Sequence, residues 1–234
     1  LVLDDADIDA AVNAAVFGCY MNQGQICMST ERLIVDEKVA EEFVAKLSAR
    51  AAKLPAGDPR DKVVLGSLVT LDAAVKMDSM IADATSKGGE LKAGGKRNGA
   101  IVEATLIDRV SSTMRLDGEE SFGPVKSVIR VKGDEEAIRV ANDTEYGLSA
   151  AVFTSNIQRG LAVAARIASG ICHSNGPTLG DEAKMPFGGV TSSGDCRLGG
   201  IAALTQFSAL PRSTFGRPTP HTPLIMLALH TLAC

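Results

Sequence analysis

Between residues 8 and 20 the apolar positions recur at helical spacing, with Ile8, Val12, Ala15 and Val16 on one face. Asp4, Asp5 and Asp7 precede that run, and carboxylates there suit a helix start, whose first N–H groups lack intrahelical acceptors. Leu1 to Leu3 reads as the end of a buried strand, and Arg32-Leu33-Ile34-Val35 as another. An amphipathic helix follows from Glu37 to about Leu54, with Val39, Phe43, Val44 and Leu47 on its stripe, until Pro55 and Gly57-Asp58-Pro59 stop it. Thr70 to about Lys87 predicts a further helix, Ala100 to Ile107 a strand, and Val128 to Val131 a strand. Asp134 is placed to cap a helix from Glu135 to about Asn142. Leu148 to Thr154 is then a strand, Gln158 to Ala168 a helix closed by Ser169-Gly170, and Ile171 to Ser174 a short strand. Alternating strands and helices predict an α/β domain with a largely parallel sheet flanked by helices.

From Pro186 the texture becomes glycine-rich, in Phe187-Gly188-Gly189, Ser193-Gly194 and Gly199-Gly200. Beyond Leu210 four prolines crowd together, acidic residues vanish and no regular structure is expected. The predicted division is a domain over 1–204 and a divergent tail over 205–234. Composition narrows the partners. With 24 basic against 28 acidic residues the formal charge is −4, which lacks the basic surplus a nucleic-acid or acidic-lipid binder needs. The apolar runs fall short of a membrane span of ~20 residues. Five cysteines, at 19, 27, 172, 196 and 234, show no paired or metal-ligand spacing, so no metal is expected and a reducing cytoplasm fits.

One thiol stands apart. Cys27 lies in the polar bend Asn22-Gln23-Gly24-Gln25-Ile26-Cys27-Met28-Ser29, between an apolar helix and a β-branched strand. A thiol attacks as thiolate, and accessible N–H groups at a Gly-containing bend favour that form, which makes Cys27 a candidate nucleophile with Asn22 and Gly24 in support. A free cysteine more often just fills a core, and these residues leave both readings open. Cys19 and Cys172, in apolar elements, read as core thiols, while Cys196 and Cys234 show no partner.

Five blocks carry a resemblance: Asp-Ala-Asp-Ile-Asp-Ala-Ala-Val (5–12), Asn-Gln-Gly-Gln-Ile-Cys (22–27), Glu-Glu-Ser-Phe-Gly-Pro-Val (119–125), Ala-Asn-Asp-Thr-Glu-Tyr-Gly-Leu-Ser-Ala-Ala-Val-Phe (141–153) and Pro-Phe-Gly-Gly-Val-Thr-Ser-Ser-Gly (186–194). In this order they resemble the NAD(P)-dependent aldehyde dehydrogenase family, and its catalytic domain in particular. The resemblance implies that Cys27 attacks an aldehyde to give a thiohemiacetal, that hydride passes to NAD or NADP, and that water releases the acid from a thioester. It implies an oxyanion held partly by the Cys27 backbone N–H. Glu120 matches the glutamate that binds the nicotinamide ribose, and Phe122 the aromatic beside it. Phe187 falls where the family lines its aldehyde pocket, and Asn175 matches an active-site asparagine whose buried amide orders the backbone. Without the motif these would read as a solvated acid, a core phenylalanine, a turn-packing ring and a turn-capping amide.

Residues 170–178 and 181–186 look most like the aromatic-aldehyde members, the salicylaldehyde, vanillin and benzaldehyde dehydrogenases, and Ile26 and Met28 would offer a ring an apolar wall. The family's general-base glutamate, its oxyanion asparagine and most of its Rossmann-type cofactor domain would lie upstream of Leu1. The chain is therefore expected to be a fragment, inactive alone, of a protein that forms homo-oligomers. Two departures stand against the pattern: Asp195-Cys196 where a Gly-centred turn is usual, and the tail beyond about Thr205, where the family supplies a pairing strand. Two other readings remain. One is a non-catalytic remnant or interaction domain that keeps the fold, and the other a Cys-His hydrolase using Cys27 and His173, since His221 and His230 lie in the tail.

Overall fold

The computed structural model describes residues 1–208. Most of the expected tail, with His221, His230 and Cys234, lies outside the described residues. Helix α1 (Ile8–Tyr20) starts where Asp7 accepts the Ala10 N–H at 3.0 Å. A single 3-10 turn, Met21–Gly24, leads through the cysteine bend to β1 (Arg32–Asp36) and α2 (Glu37–Ala51), whose cap is the Asp36 carboxylate at the strand's own end. Then come α3 (Leu71–Ser86), β2 (Glu90–Ala93), β3 (Arg97–Asn98), β4 (Ile101–Val102), β5 (Thr105–Asp108), the one-turn α4 (Arg115–Gly118) and β6 (Val125–Val131). The last part runs α5 (Gly133–Asn142), β7 (Tyr146–Gly147), β8 (Ser149–Val152), α6 (Ile157–Ala164), β9 (Ile171–Ser174), β10 (Val190–Thr191) and α7 (Gly200–Gln206).

The main sheet has the order β1-β6-β5-β2, with β1–β6 and β5–β6 parallel and β2 antiparallel at the edge. A second parallel pair is β8–β9. Leu1 to Leu3 joins the two. The Val2 N–H donates to Ile34 O at 2.8 Å and its carbonyl accepts from Asp36 N at 2.9 Å. On the other side Leu3 N donates to Phe153 O at 3.0 Å, so the expected buried strand acts as a rung between β1 and the end of β8. The largely parallel α/β sheet of the sequence reading is thus present.

Both faces of that sheet are covered, as parallel sheets require. Leu33, Val35, Leu106 and Val128 pack against Val12, Ala15 and Cys19 of α1 and Phe43 and Leu47 of α2. Their alternates Ile34, Ile107, Val125 and Ile129 pack against Met77, Met80 and Ala84 of α3 and Ala137 of α5. This is why β6 is buried along almost its whole length. Among the described residues no helix is long and apolar enough to cross a membrane.

Three expectations are corrected. Residues 100–107 form two short strands, because β4 turns back onto β3 before β5 enters the sheet. Lys132, not Asp134, occupies the cap of α5. Asp134 sits in the first turn and pairs with Arg159 instead, while Glu136 accepts the Lys132 N–H at 2.8 Å. The helix expected over 158–168 ends at Ala164.

Candidate active site

After α1 the backbone reverses through three successive left-handed residues, Asn22 (φ 51°), Gln23 (φ 59°) and Gly24 (φ 71°). Asparagine tolerates this region because its short amide bonds locally, here from Nδ2 to Gln25 O at 3.2 Å. Gly24 is required on two counts: its φ, and a Cβ that would sit 2.4 Å from the Gly123 carbonyl oxygen. Gly24→Ala is expected to cost about 2–4 kcal/mol, strain and overpacking together. Urea unfolding checks it through a lower midpoint at unchanged slope, and a loss under ~1 kcal/mol would show that the bend relaxes freely.

Cys27 is the second residue of a turn closed by Ser29 N donating to Ile26 O at 2.8 Å. Its side chain is exposed, and among the described residues its N–H has no protein acceptor. The bend is fixed from outside: Thr30 N donates to Gly18 O at 3.0 Å, Thr178 Oγ1 to Met28 O at 2.7 Å, and Val69 N to Gln25 Oε1 at 2.9 Å.

The second element of the site is the loop Glu119 to Gly123. Lys76 Nζ donates to Glu120 O at 2.7 Å. Glu31 accepts from Ser121 N at 3.1 Å, from Ser121 Oγ at 2.6 Å and from Lys126 Nζ at 2.7 Å. The Lys126 side chain is 0% exposed and Glu31 is 24% exposed. Burial pushes the Glu120 carboxyl up, the nearby Glu31 charge adds to that, and Lys76 and Lys126 oppose it. Among the described residues no donor reaches the Glu120 carboxylate, which leaves its oxygens available to hydroxyl donors.

Cys27 and Glu120 line one cavity of about 390 Å³, together with Ser29, Glu31, Tyr146 and Thr178 and an apolar wall that includes Ala14, Leu33, Phe43 and Phe153. That volume and mixed lining suit a small organic molecule. Of the residues singled out from sequence, Ile26, Met28, Phe122, Phe187, Asn22, Gly24 and Asn175 are not on this lining. Asn22 and Gly24 shape the bend, and Ile26 and Met28 bracket the thiol along the chain while half-buried elsewhere. Phe122 is held at φ 51° and is 41% exposed, two residues after Glu120. Phe187 exchanges backbone bonds with Leu198 at 2.8 and 2.7 Å. Asn175 is exposed rather than buried, yet its amide does order backbone, accepting from Thr154 N and donating to Thr154 O at 3.0 Å each. His173 is not on the cavity lining, so the structure assembles no Cys27–His173 dyad there.

Glu31, Lys126 and Thr178 were not singled out from sequence. A signal for Lys126 existed, since a lysine next to Val125 at the entry to a buried strand needs a carboxylate wherever it is enclosed. Nothing local pointed to Glu31 as that partner. The remaining thiols separate by environment. Cys19 is fully buried and its thiol is pushed up to about 12, and burial also raises Cys172. Brief iodoacetamide treatment of the native fold at pH 8 should therefore label Cys27 and the exposed Cys196 and spare Cys19, read by peptide mass spectrometry. Early labelling of Cys19 would contradict the packing of α1.

For a nicotinamide dinucleotide the donor set fits one end. Glu120 offers ribose hydroxyls a carboxylate that is unpartnered among the described residues, on the cavity that holds Cys27, and Phe122, two residues on and off that lining, is exposed. Among the described residues no group of three His, Cys, Asp or Glu side chains is set to hold a metal ion.

The family model for the aldehyde dehydrogenase family matches residues 1–211. Vanillin dehydrogenase of Pseudomonas fluorescens is 55% identical over 225 residues, 96% of this chain and 47% of that protein. The crystal structure of a salicylaldehyde dehydrogenase from Pseudomonas putida G7 complexed with salicylaldehyde superposes with a TM-score of 0.89 at 44% identity, covering 94% of this chain and 47% of that one. The NADP-dependent glyceraldehyde-3-phosphate dehydrogenase from Bacillus halodurans C-125, complexed with NADP, gives a TM-score of 0.84 at 34% identity over 87% of this chain and 43% of that one. The chain spans about half the length of the relatives it matches.

Proposed function

The chain belongs to the aldehyde dehydrogenase family, and from that premise we propose that it carries the thiol half of a centre that oxidises an aromatic aldehyde to the acid with NAD or NADP. The observation that carries this reading is one cavity that presents together an exposed thiol and a carboxylate unpartnered among the described residues. Relatives named for vanillin and salicylaldehyde support the aromatic class. So does the apolar wall of the cavity.

In this reading Cys27 reaches the carbonyl carbon from the tip of its turn, and exposure lets water take up the thiol proton before attack. The Cys27 N–H, free of acceptors among the described residues, donates to the developing oxyanion at no reorganisation cost. The adduct so formed is a thiohemiacetal; loss of its carbon-bound hydride and hydroxyl proton leaves a thioester, which water cleaves to the acid and the free thiol. A bound NAD(P)⁺ supplies the hydride acceptor. Glu120 would hold it by accepting from the ribose hydroxyls, and Phe122 would offer it an aromatic ring. The domain division at 204 and a cytoplasmic site of action belong to the same proposal, the latter supported by the free thiols at 19, 27, 172 and 196.

Steady-state kinetics of the native polypeptide test the substrate class. Benzaldehyde, vanillin and salicylaldehyde are expected to give kcat/KM at least tenfold above acetaldehyde, since an apolar cavity discriminates by ~1–3 kcal/mol for small changes of apolar bulk. Equal values would defeat the aromatic reading. The isolated 234-residue chain, holding one end of a cofactor, is expected not to reduce NAD⁺ or NADP⁺ with any of these aldehydes.

A further inference from the structure

Lys126 and Glu31 take no part in the chemistry above, yet they form an ion pair beside the cavity whose ammonium is fully enclosed. Lys126 stands in β6, and its ammonium is fully enclosed, 2.7 Å from Glu31 Oε1. Such an ammonium holds its partner's rotamer, because any other arrangement leaves a charge buried alone. The other Glu31 oxygen takes both donors of Ser121, the backbone N–H at 3.1 Å and the hydroxyl at 2.6 Å. The Ser121 hydroxyl also lies 3.2 Å from Gly123 O, but the charge-assisted bond is the shorter and takes the proton. Immediately after this clamp the chain enters the left-handed region at Phe122, and immediately before it comes Glu120 on the cavity wall. Glu31 is also four residues beyond Cys27 on the same segment, so one carboxylate ties the thiol bend to the loop of Glu120.

We propose that Glu31 is a positioning residue for Glu120: by gripping Ser121 from the Cys27 segment it holds the Glu120 carboxylate on the cavity that the thiol shares. Lys126 fixes Glu31, and Glu31 fixes the loop. The proposal rests on the reading of Glu120 as the ribose-binding carboxylate. The charged and titratable groups that face Glu120 are Glu31, Lys76, Lys126 and Tyr146. Replacing Glu31 by a neutral residue removes the only one of the first three that opposes its ionisation.

The test uses the native polypeptide with NAD⁺ and NADP⁺ as probes, in Glu31→Gln, Glu31→Asp and Glu120→Gln variants. Glu31→Gln is expected to weaken cofactor binding about tenfold, the scale of one charge-assisted hydrogen bond. It should also move the acid limb of the affinity–pH profile to lower pH and speed amide exchange at Ser121. Glu31→Asp should recover part of the affinity. A merely structural role would leave the pH profile in place. If Glu120→Gln weakens the cofactor while Glu31→Gln changes neither affinity nor profile, the proposal is overturned and the Glu120 reading stands. If Glu120→Gln leaves affinity unchanged, the Glu120 reading fails and the proposal falls with it. Should Glu31→Gln not fold, the charge-balanced Glu31→Gln/Lys126→Met protein carries the affinity and exchange measurements. Wild-type values in that protein would overturn the proposal too.

Discussion

Cys27→Ala in the native polypeptide is expected to lower kcat/KM for aldehyde oxidation by roughly 10⁴-fold or more, the scale on which removing a nucleophile acts. The control is Cys19→Ala. Cys19 is buried in α1 with its thiol held neutral, so it can contribute packing and no attack. Its loss is expected to cost about 1 kcal/mol of stability and to leave turnover within a factor of two. The two thiols lie eight residues apart, so comparing them separates a chemical role from a local structural one. Cofactor affinity should be unchanged in Cys27→Ala, because the Glu120 loop is held by Glu31 and Lys76, not by the thiol. Equal activity in the two variants would refute the assignment of Cys27.

The elements of this fold were largely legible in the sequence because their signals are local. Helical spacing set α1, α2 and α3, and Asp7 and Thr70 cap where side-chain oxygens meet free N–H groups. Where reading failed, a distant partner had decided the matter. Asp134 was free to cap α5 but is claimed by Arg159, 25 residues away in sequence. The site divides in the same way. Gly24 announces a left-handed bend by itself, whereas its closeness to Gly123 joins segments about a hundred residues apart. Family resemblance supplied Glu120 and Phe122, and the structure brings only the first onto the cavity of Cys27. Periodicity could not reveal the Glu31–Ser121–Lys126 cluster, since its members belong to two segments that meet only when β1 pairs with β6.

That cluster has an asymmetry that predicts the second large effect. Glu31→Ala leaves the Lys126 ammonium fully enclosed without its carboxylate, and breaking a buried pair in this way typically costs about 3–5 kcal/mol. The cost has a ceiling, because the group can shed its proton instead, and neutralising an ordinary lysine at pH 7 takes about 4–5 kcal/mol. Lys126→Met should cost less, about 1–2 kcal/mol, since Glu31 is partly exposed and keeps both Ser121 donors. Glu31→Ala/Lys126→Met should then be more stable than Glu31→Ala alone, which chemical denaturation of the three proteins tests directly. The sign with pH follows. If the enclosed lysine of Glu31→Ala is neutral when folded and charged when unfolded, the unfolded state binds the extra proton and stability rises with pH, by up to ~1.4 kcal/mol per unit. The deficit of Glu31→Ala against wild type should therefore narrow between pH 7 and pH 9, while that of the double variant stays flat. A deficit independent of pH, with no recovery in the double variant, would mean that Glu31 contributes packing alone and that the pair is no anchor for the Glu120 loop.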